Sequence, residues 1–129
     1  MRIKLNSILV DNQEEALSFY TEKLGFVKKT DIPMGEFRWL TVVAPDEPDG
    51  AELVLEPNAF PAAATFKKAL YEAGIPQTAL ASTDVRAEYE KLVGKGVKFR
   101  SEPADAGGTV IAMFDDTCGN LIQMYQLQD

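Results

Sequence analysis

Two acidic side chains on one predicted strand are the clearest chemical signal in this sequence. Glu52 and Glu56 both fall on the even positions of the apolar run 51–56, where successive side chains point to opposite faces. We therefore expect both carboxylates on one face and near each other, where they can attract a cation. Trp39 and Tyr125 supply aromatic rings that can stack a flat or cationic ligand.

Each of these assignments has a structural alternative. Glu56 ends its strand and can equally be solvated there, which is the commonest environment of glutamate. Trp39 can instead fill the core, as large rings often do. Its neighbour Arg38 must face the other way and is predicted to form a structural ion pair. Glu52 lies within the strand, on a face of mixed polarity, and for this residue we favour a role in a pocket.

The elements that must position these residues occur twice in the chain. A strand, an acidic stop and an amphipathic helix ending in glycine are followed each time by further strands, the last two joined as a hairpin. The first copy contains strand Leu5–Val10, helix Gln13–Leu24 and the hairpin strands Arg38–Val43 and Ala51–Glu56. The second copy contains strand Thr78–Thr83, helix Val85–Val93 and the hairpin strands Thr109–Phe114 and Leu121–Gln126. Two copies are too few for a solenoid and predict a paired α+β domain.

Capping residues set the helix ends in this interpretation. Asn12 and Asp84 are suitable N-caps for the two repeated helices, because their side-chain oxygens can accept a free N–H of the first turn. The stretch Pro61–Ala73 predicts a third helix that connects the copies. Its expected buried stripe is Phe66, Leu70 and Ala73.

The whole-chain properties narrow the class of protein. With 129 residues we expect a single domain, with module 1 at about 1–57, the connector helix at about 61–73 and module 2 at about 77–129. A net charge of −7 disfavours nucleic acid as a partner. The N-terminal apolar stretch is too short and polar for a signal peptide or a membrane span. The single cysteine forms no intramolecular disulfide, so we expect a cytoplasmic protein.

Four stretches share an order and spacing that are typical of one family: Val10–Phe26, Glu52–Leu55, Asp84–Val97 and Phe114–Gln123. With them the chain resembles the vicinal oxygen chelate superfamily of glyoxalase I, bleomycin-resistance and extradiol dioxygenase proteins. The resemblance implies two βαβββ modules that form a curved, incompletely closed eight-stranded sheet around a pocket, with the helices outside. It also implies a homodimer.

Enzymes of this superfamily commonly hold a divalent metal from the first and fourth strands of each module. Carried onto this sequence, the four positions are Leu5, Glu52, Thr78 and Gln123, and a slip of one residue would place Asn6 first. The chain has no histidine, leucine has no lone pair, and threonine and glutamine offer only neutral oxygens. We therefore expect no tightly bound metal cofactor. Weak magnesium or calcium binding is left open.

The resemblance leaves several functions open. The favoured one is a metal-free protein that binds and sequesters an aromatic or cationic small molecule, as the bleomycin-resistance branch does. The alternative is a lyase, isomerase or dioxygenase-type enzyme, with an oxygen-only metal site or with Glu52 as a general base. A third is a sensor whose pocket signals to a partner. The predicted ligand-binding residues are Glu52, Glu56, Trp39, Thr78, Gln123 and Tyr125.

Overall fold

The computed structural model describes residues 1–127. Its strands are β1 (Leu5–Val10), β2 (Val27–Met34), β3 (Phe37–Val43), β4 (Glu52–Pro57), β5 (Thr78–Ser82), β6 (Phe99–Ala106), β7 (Thr109–Asp115) and β8 (Leu121–Gln126). Its α-helices are α1 (Gln13–Ser18), which a π-helical turn at Phe19–Lys23 continues, α2 (Pro61–Glu72) and α3 (Val85–Gly94). By internal contacts the chain forms two compact units, Met1–Phe66 and Lys67 onward. We call the repeat copy in the first unit module 1 and that in the second unit module 2.

Module 1 is a four-stranded sheet with the order β1-β4-β3-β2. Strand β1 runs parallel to β4, whereas β3 is antiparallel to both β4 and β2. The parallel pairing places Leu5 opposite Glu52 and Asn6 opposite Leu53. Directly paired residues project from the same face of a sheet, and a slip of one residue reverses the face. Leu5, and not Asn6, is therefore the neighbour of Glu52.

Helix α1 covers one face of this sheet. The side chain of Asn12 caps it by accepting the N–H of Glu15 at 3.0 Å, as predicted. Apolar side chains beneath the helix and on its inner side form the core of the module: Ile8, Val10, Ala16, Phe19, Tyr20, Leu40, Val42 and Leu55. The opposite face of the sheet carries Glu52, and we call it the open face of module 1.

The buried Gln13 joins β3 to β4 where regular pairing stops. The ladder between these strands contains the pairs Thr41–Val54 and Val42–Leu53. Beyond it, Gln13 Nε2 donates to the carbonyl oxygens of Arg38 at 2.7 Å and Leu55 at 2.8 Å, and Gln13 Oε1 accepts the Arg38 N–H at 3.1 Å. One side chain from α1 thus satisfies backbone groups of two strands.

Module 2 repeats this arrangement with the order β5-β8-β7-β6. Strand β5 runs parallel to β8, with Thr78 opposite Ile122 and Ala79 opposite Gln123. Helix α3, capped by Asp84, covers the face that carries Ile122. On that face an aromatic series links the helix to the sheet: Tyr89 contacts Phe99 with ring centroids 4.6 Å apart, and Phe99 contacts Phe114 at 5.5 Å. The opposite face, which carries Gln123, is the open face of module 2.

The second half of α2 packs against the β7–β8 turn of module 2 in a way the sequence did not predict. The predicted buried stripe is wrong at Phe66, which is largely exposed, and at Ala73, which is also exposed. The buried residue is Lys67, whose Nζ donates to the carbonyl oxygen of Cys118 at 2.6 Å. A long amphipathic side chain can bury its stem when its charged end finds an acceptor, and this contact provides one.

The α+β class and the two βαβββ modules predicted from the sequence are confirmed. Within residues 1–127 the eight strands are hydrogen-bonded as two four-stranded sheets, neither of which closes on itself. Over the same residues, no helix combines the length and the apolar character that crossing a bilayer requires.

Candidate functional site

Glu52 lies at the start of β4 and is held on the open face of module 1 by Thr41. The Thr41 hydroxyl donates to Glu52 Oε1 at 2.7 Å, and it accepts the N–H of Thr30 at 3.2 Å. Thr41 is fully buried, whereas Glu52 is half-buried. Oε1 of Glu52 is therefore hydrogen-bonded within the protein, and the strands that carry Thr41 and Glu52 fix the orientation of the carboxylate.

Sequence reasoning did not name Thr41 as a site residue. It occupies the open face with Trp39, two positions along β3, and the alternation of that strand was visible in the sequence. A threonine at a mid-strand position, on the same face as the predicted acid, was the available signal. What the sequence does not show is the register shift in β2 between Lys28 and Thr30, next to which the Thr30 N–H is donated to Thr41 Oγ1.

Apolar and aromatic side chains lie on the same face, Leu5 beside Glu52 and Trp39 beyond Thr41 toward the end of β4 that carries Glu56. Trp39 is half-buried and pairs with Ile32 of β2, and Leu5 pairs with Glu52 itself. Ile32 is 53% exposed and Leu5 is 47% exposed. Trp39 is half-buried and points away from α1, whose side of the sheet Arg38 occupies. The open face of module 1 therefore carries acidic side chains together with exposed apolar ones.

Glu56 shares this face with Glu52, but the two do not form a carboxylate pair along the strand. They are four residues apart in β4, which corresponds to about 13 Å at the usual rise per residue. Glu56 instead pairs with Leu9 of β1 near the other end of the strand. The expectation of two adjacent carboxylates is wrong, and the geometry leaves Glu52 and Glu56 as separate groups.

The predicted structural ion pair of Arg38 is present on the opposite side of the sheet. Its guanidinium donates through Nε and Nη2 to the two carboxylate oxygens of Asp31, at 3.0 and 2.7 Å, and through Nη1 to Glu14 of α1. This bidentate contact lowers the pKa of Asp31 to about 2, with smaller contributions from Lys28, although partial burial opposes the shift. The same contacts raise the pKa of Arg38. The network fastens α1 to β2 and β3 and does not belong to the candidate site.

In module 2, two of the three predicted residues share the open face. Gln123 pairs with Met113 and Ala79, and Tyr125 two positions further along β8 points the same way. Both side chains are half-buried.

Thr78 is the third predicted residue of module 2, and the register places it elsewhere. It pairs with Ile122 on the face that α3 covers, so Ala79 takes the position beside Gln123. The prediction that Thr78 lines the same surface as Gln123 is wrong by one residue.

The side chains at the family's metal positions do not suit a transition-metal ion. The positions carried over from the family are Leu5 and Glu52 in module 1 and Thr78 and Gln123 in module 2; Thr78 lies on the other face, and Ala79 takes the place beside Gln123. Two aliphatic side chains, one carboxylate and one amide offer few ligands to such an ion, and the carboxylate already binds a hydroxyl. Across residues 1–127, no three His, Cys, Asp or Glu side chains are grouped to hold a metal.

A groove of about 400 Å³ lies on module 2, and none of the predicted residues lines it. Side chains of α3 and β6 line it: Arg86, Tyr89, Glu90, Val93, Glu102 and Pro103. Arg86 is paired with Asp105 at 3.7 Å, and both side chains are mostly exposed, so this contact adds little stability. Because the groove lies on the side that carries α3, it is not part of the open face.

Comparison with known proteins agrees with this architecture. The profile of the Glyoxalase/Bleomycin resistance protein/Dioxygenase superfamily matches residues 2–124. The chain belongs to this superfamily. It is 54% identical over 126 residues to the uncharacterized protein YurT of Bacillus subtilis (strain 168), covering 98% of this chain and 99% of that one.

Two solved structures of the superfamily's fold are similar along the whole chain. The crystal structure of UcmS2 superposes with a TM-score of 0.83 at 36% identity and covers 97% of each chain. TnmS3, an antibiotic binding protein from Streptomyces sp. CB03234, superposes with a TM-score of 0.74 at 30% identity, covering 99% of this chain and 97% of that one. The family resemblance inferred from the sequence is confirmed.

Proposed function

We propose that this protein binds and sequesters a small aromatic or cationic molecule without the help of a metal ion. The observation that carries the proposal is the fixed carboxylate of Glu52 on an open face that also carries Trp39 and the exposed side chains of Leu5 and Ile32. An ionised carboxylate attracts a cation, and flat apolar surface binds the aromatic part of the same ligand.

The chemistry of the family's metal positions supports the same proposal. The residues paired with Glu52 and Gln123 are Leu5 and Ala79, and neither side chain has a lone pair to donate to a metal. Aliphatic side chains at these places favour binding through direct contact with the ligand over binding through a metal. The similarity to TnmS3, an antibiotic binding protein, points in this direction too. Gln123 and Tyr125 stay predicted ligand contacts on the open face of module 2, and a cytoplasmic homodimer is the proposed form of the protein.

A matched pair of probes tests the proposal. 9-Aminoacridine is protonated at pH 7, whereas acridine is a neutral ring system of nearly the same size. Isothermal titration calorimetry of the wild-type protein should give tighter binding of 9-aminoacridine. Glu52→Gln should weaken that binding about tenfold or more, because a charged contact of roughly 1.5–3 kcal/mol is lost, and should leave acridine unchanged.

The control is Glu36→Gln, which removes the same charge from the exposed β2–β3 turn of module 1. It should leave both affinities unchanged apart from a small effect that salt removes. Equal affinities of the wild-type protein for the two probes, or an equal loss with Glu36→Gln and Glu52→Gln, would contradict the proposal.

A further inference from the structure

The hydroxyl of Thr41 makes two hydrogen bonds that together fix the direction of its proton. A hydroxyl group has one proton and two lone pairs. The Thr30 N–H is donated to Thr41 Oγ1 at 3.2 Å, which occupies a lone pair. The one proton is therefore left for Glu52 Oε1, 2.7 Å away. Thr41 is an acceptor on the β2 side and a donor on the β4 side.

The sheet holds all three groups in place. Thr41 pairs directly with Thr30 on β2 and with Val54 on β4, and Glu52 lies two residues from Val54 on the same face. Such a diagonal neighbour is within reach of a long side chain. The register of β2 shifts between Lys28 and Thr30, and the N–H of Thr30 is donated to the Thr41 side chain.

We infer that Thr41 is a positioning residue: it engages Oε1 of Glu52, so that Oε2 is directed to a protonated nitrogen of the ligand. The inference rests on the proposed function and narrows its ligand class. A carboxylate oxygen in a fixed orientation binds a cation that donates an N–H more tightly, because the hydrogen bond adds to the charge attraction. A quaternary cation without an N–H gains only the attraction. The ligand is thus a protonated amine or amidine attached to a flat or apolar group.

Two cationic probes separate the contribution of a directed hydrogen bond from that of charge attraction. 9-Aminoacridine carries N–H donors at pH 7, whereas 10-methylacridinium has the same net charge and lacks them. Wild-type protein should bind 9-aminoacridine about tenfold more tightly, the effect of one good hydrogen bond to a charged group. Thr41→Val removes the hydroxyl while keeping the shape of the side chain, and it should bring this ratio close to one with the affinity for 10-methylacridinium unchanged. Thr41→Ser keeps the hydroxyl and should preserve the ratio.

The outcomes distinguish this inference from the proposed function. Glu52→Gln should weaken the binding of both cations. If it does, but Thr41→Val keeps the wild-type ratio of the two affinities, the role of Thr41 is refuted and the proposed function stands. An equal loss for both cations in Thr41→Val would mean a merely structural role. If wild-type protein binds 9-aminoacridine no better than neutral acridine, the proposed function and the role of Thr41 are both refuted. Thermal unfolding confirms that each variant is folded. If Thr41→Val does not fold, Thr41→Ala replaces it.

Discussion

Replacing Gln13 with methionine should destabilise module 1 strongly, although the two side chains have similar size. The amide of Gln13 satisfies the N–H and the carbonyl of Arg38 and the carbonyl of Leu55. Methionine leaves these three backbone groups without that partner, and a buried polar group without a partner costs roughly 1–3 kcal/mol. The contacts with Arg38 are only partly buried, so we expect the loss to be about 2–4 kcal/mol in total.

Urea unfolding monitored by circular dichroism measures this loss as a lower transition midpoint at an unchanged slope. The matched control is Glu15→Met, which introduces the same side chain at an exposed position of the same helix. It should change the free energy of unfolding by less than about 0.5 kcal/mol. A loss below about 0.5 kcal/mol in Gln13→Met as well would refute the conclusion that this side chain joins β3 to β4.

Three further predictions concern charge, burial and register. The pKa of Asp31 is lowered from 3.8 to about 2 in the folded protein, so its ion pair should stabilise the protein above about pH 4. This stabilisation should be lost as the pH falls toward 2. In acid titrations, Asp31→Asn should therefore show a smaller fall of the unfolding free energy over that range. Lys67→Met removes the buried hydrogen bond to the Cys118 carbonyl and should cost about 1–3 kcal/mol in urea unfolding. Lys68→Met, at an exposed neighbouring position, should cost almost nothing, and equal effects of the two substitutions would contradict the packing of α2. Leu5→His should add a second zinc or nickel ligand beside the carboxylate of Glu52, and Asn6→His should not. If calorimetry shows metal binding by Asn6→His and none by Leu5→His, the β1 register is wrong.

Features that rest on local sequence were predicted well. The caps at Asn12 and Asp84 follow from the side-chain oxygen that each offers to the first helical turn, and both are present. The strands Leu5–Val10 and Leu121–Gln126 have the predicted bounds, because alternating or continuous apolar runs between polar stops define them. The repeat of these local patterns was enough to establish the two-module fold.

Features that rest on long-range pairing were not predictable in the same way. The position of Thr78 depends on how β5 aligns with β8, and a shift of one residue moves every side chain to the other face. Nothing within the strand itself decides that alignment. Lys67 is buried because an acceptor 51 residues away, the carbonyl of Cys118, meets its charged end. The hydrogen bonds of Thr41 likewise depend on how β2 and β4 align with β3, which the sequence of β3 does not reveal.

The most direct test of the proposed site uses the indole N–H of Trp39, which gives one resonance because the chain contains a single tryptophan. Adding 9-aminoacridine to ¹⁵N-labelled wild-type protein should shift this resonance in a saturable way. In Glu52→Gln the same shift should require about tenfold more probe. An unmoved indole resonance while calorimetry shows binding, or identical titrations of the two proteins, would contradict a ligand site built on Glu52 and Trp39.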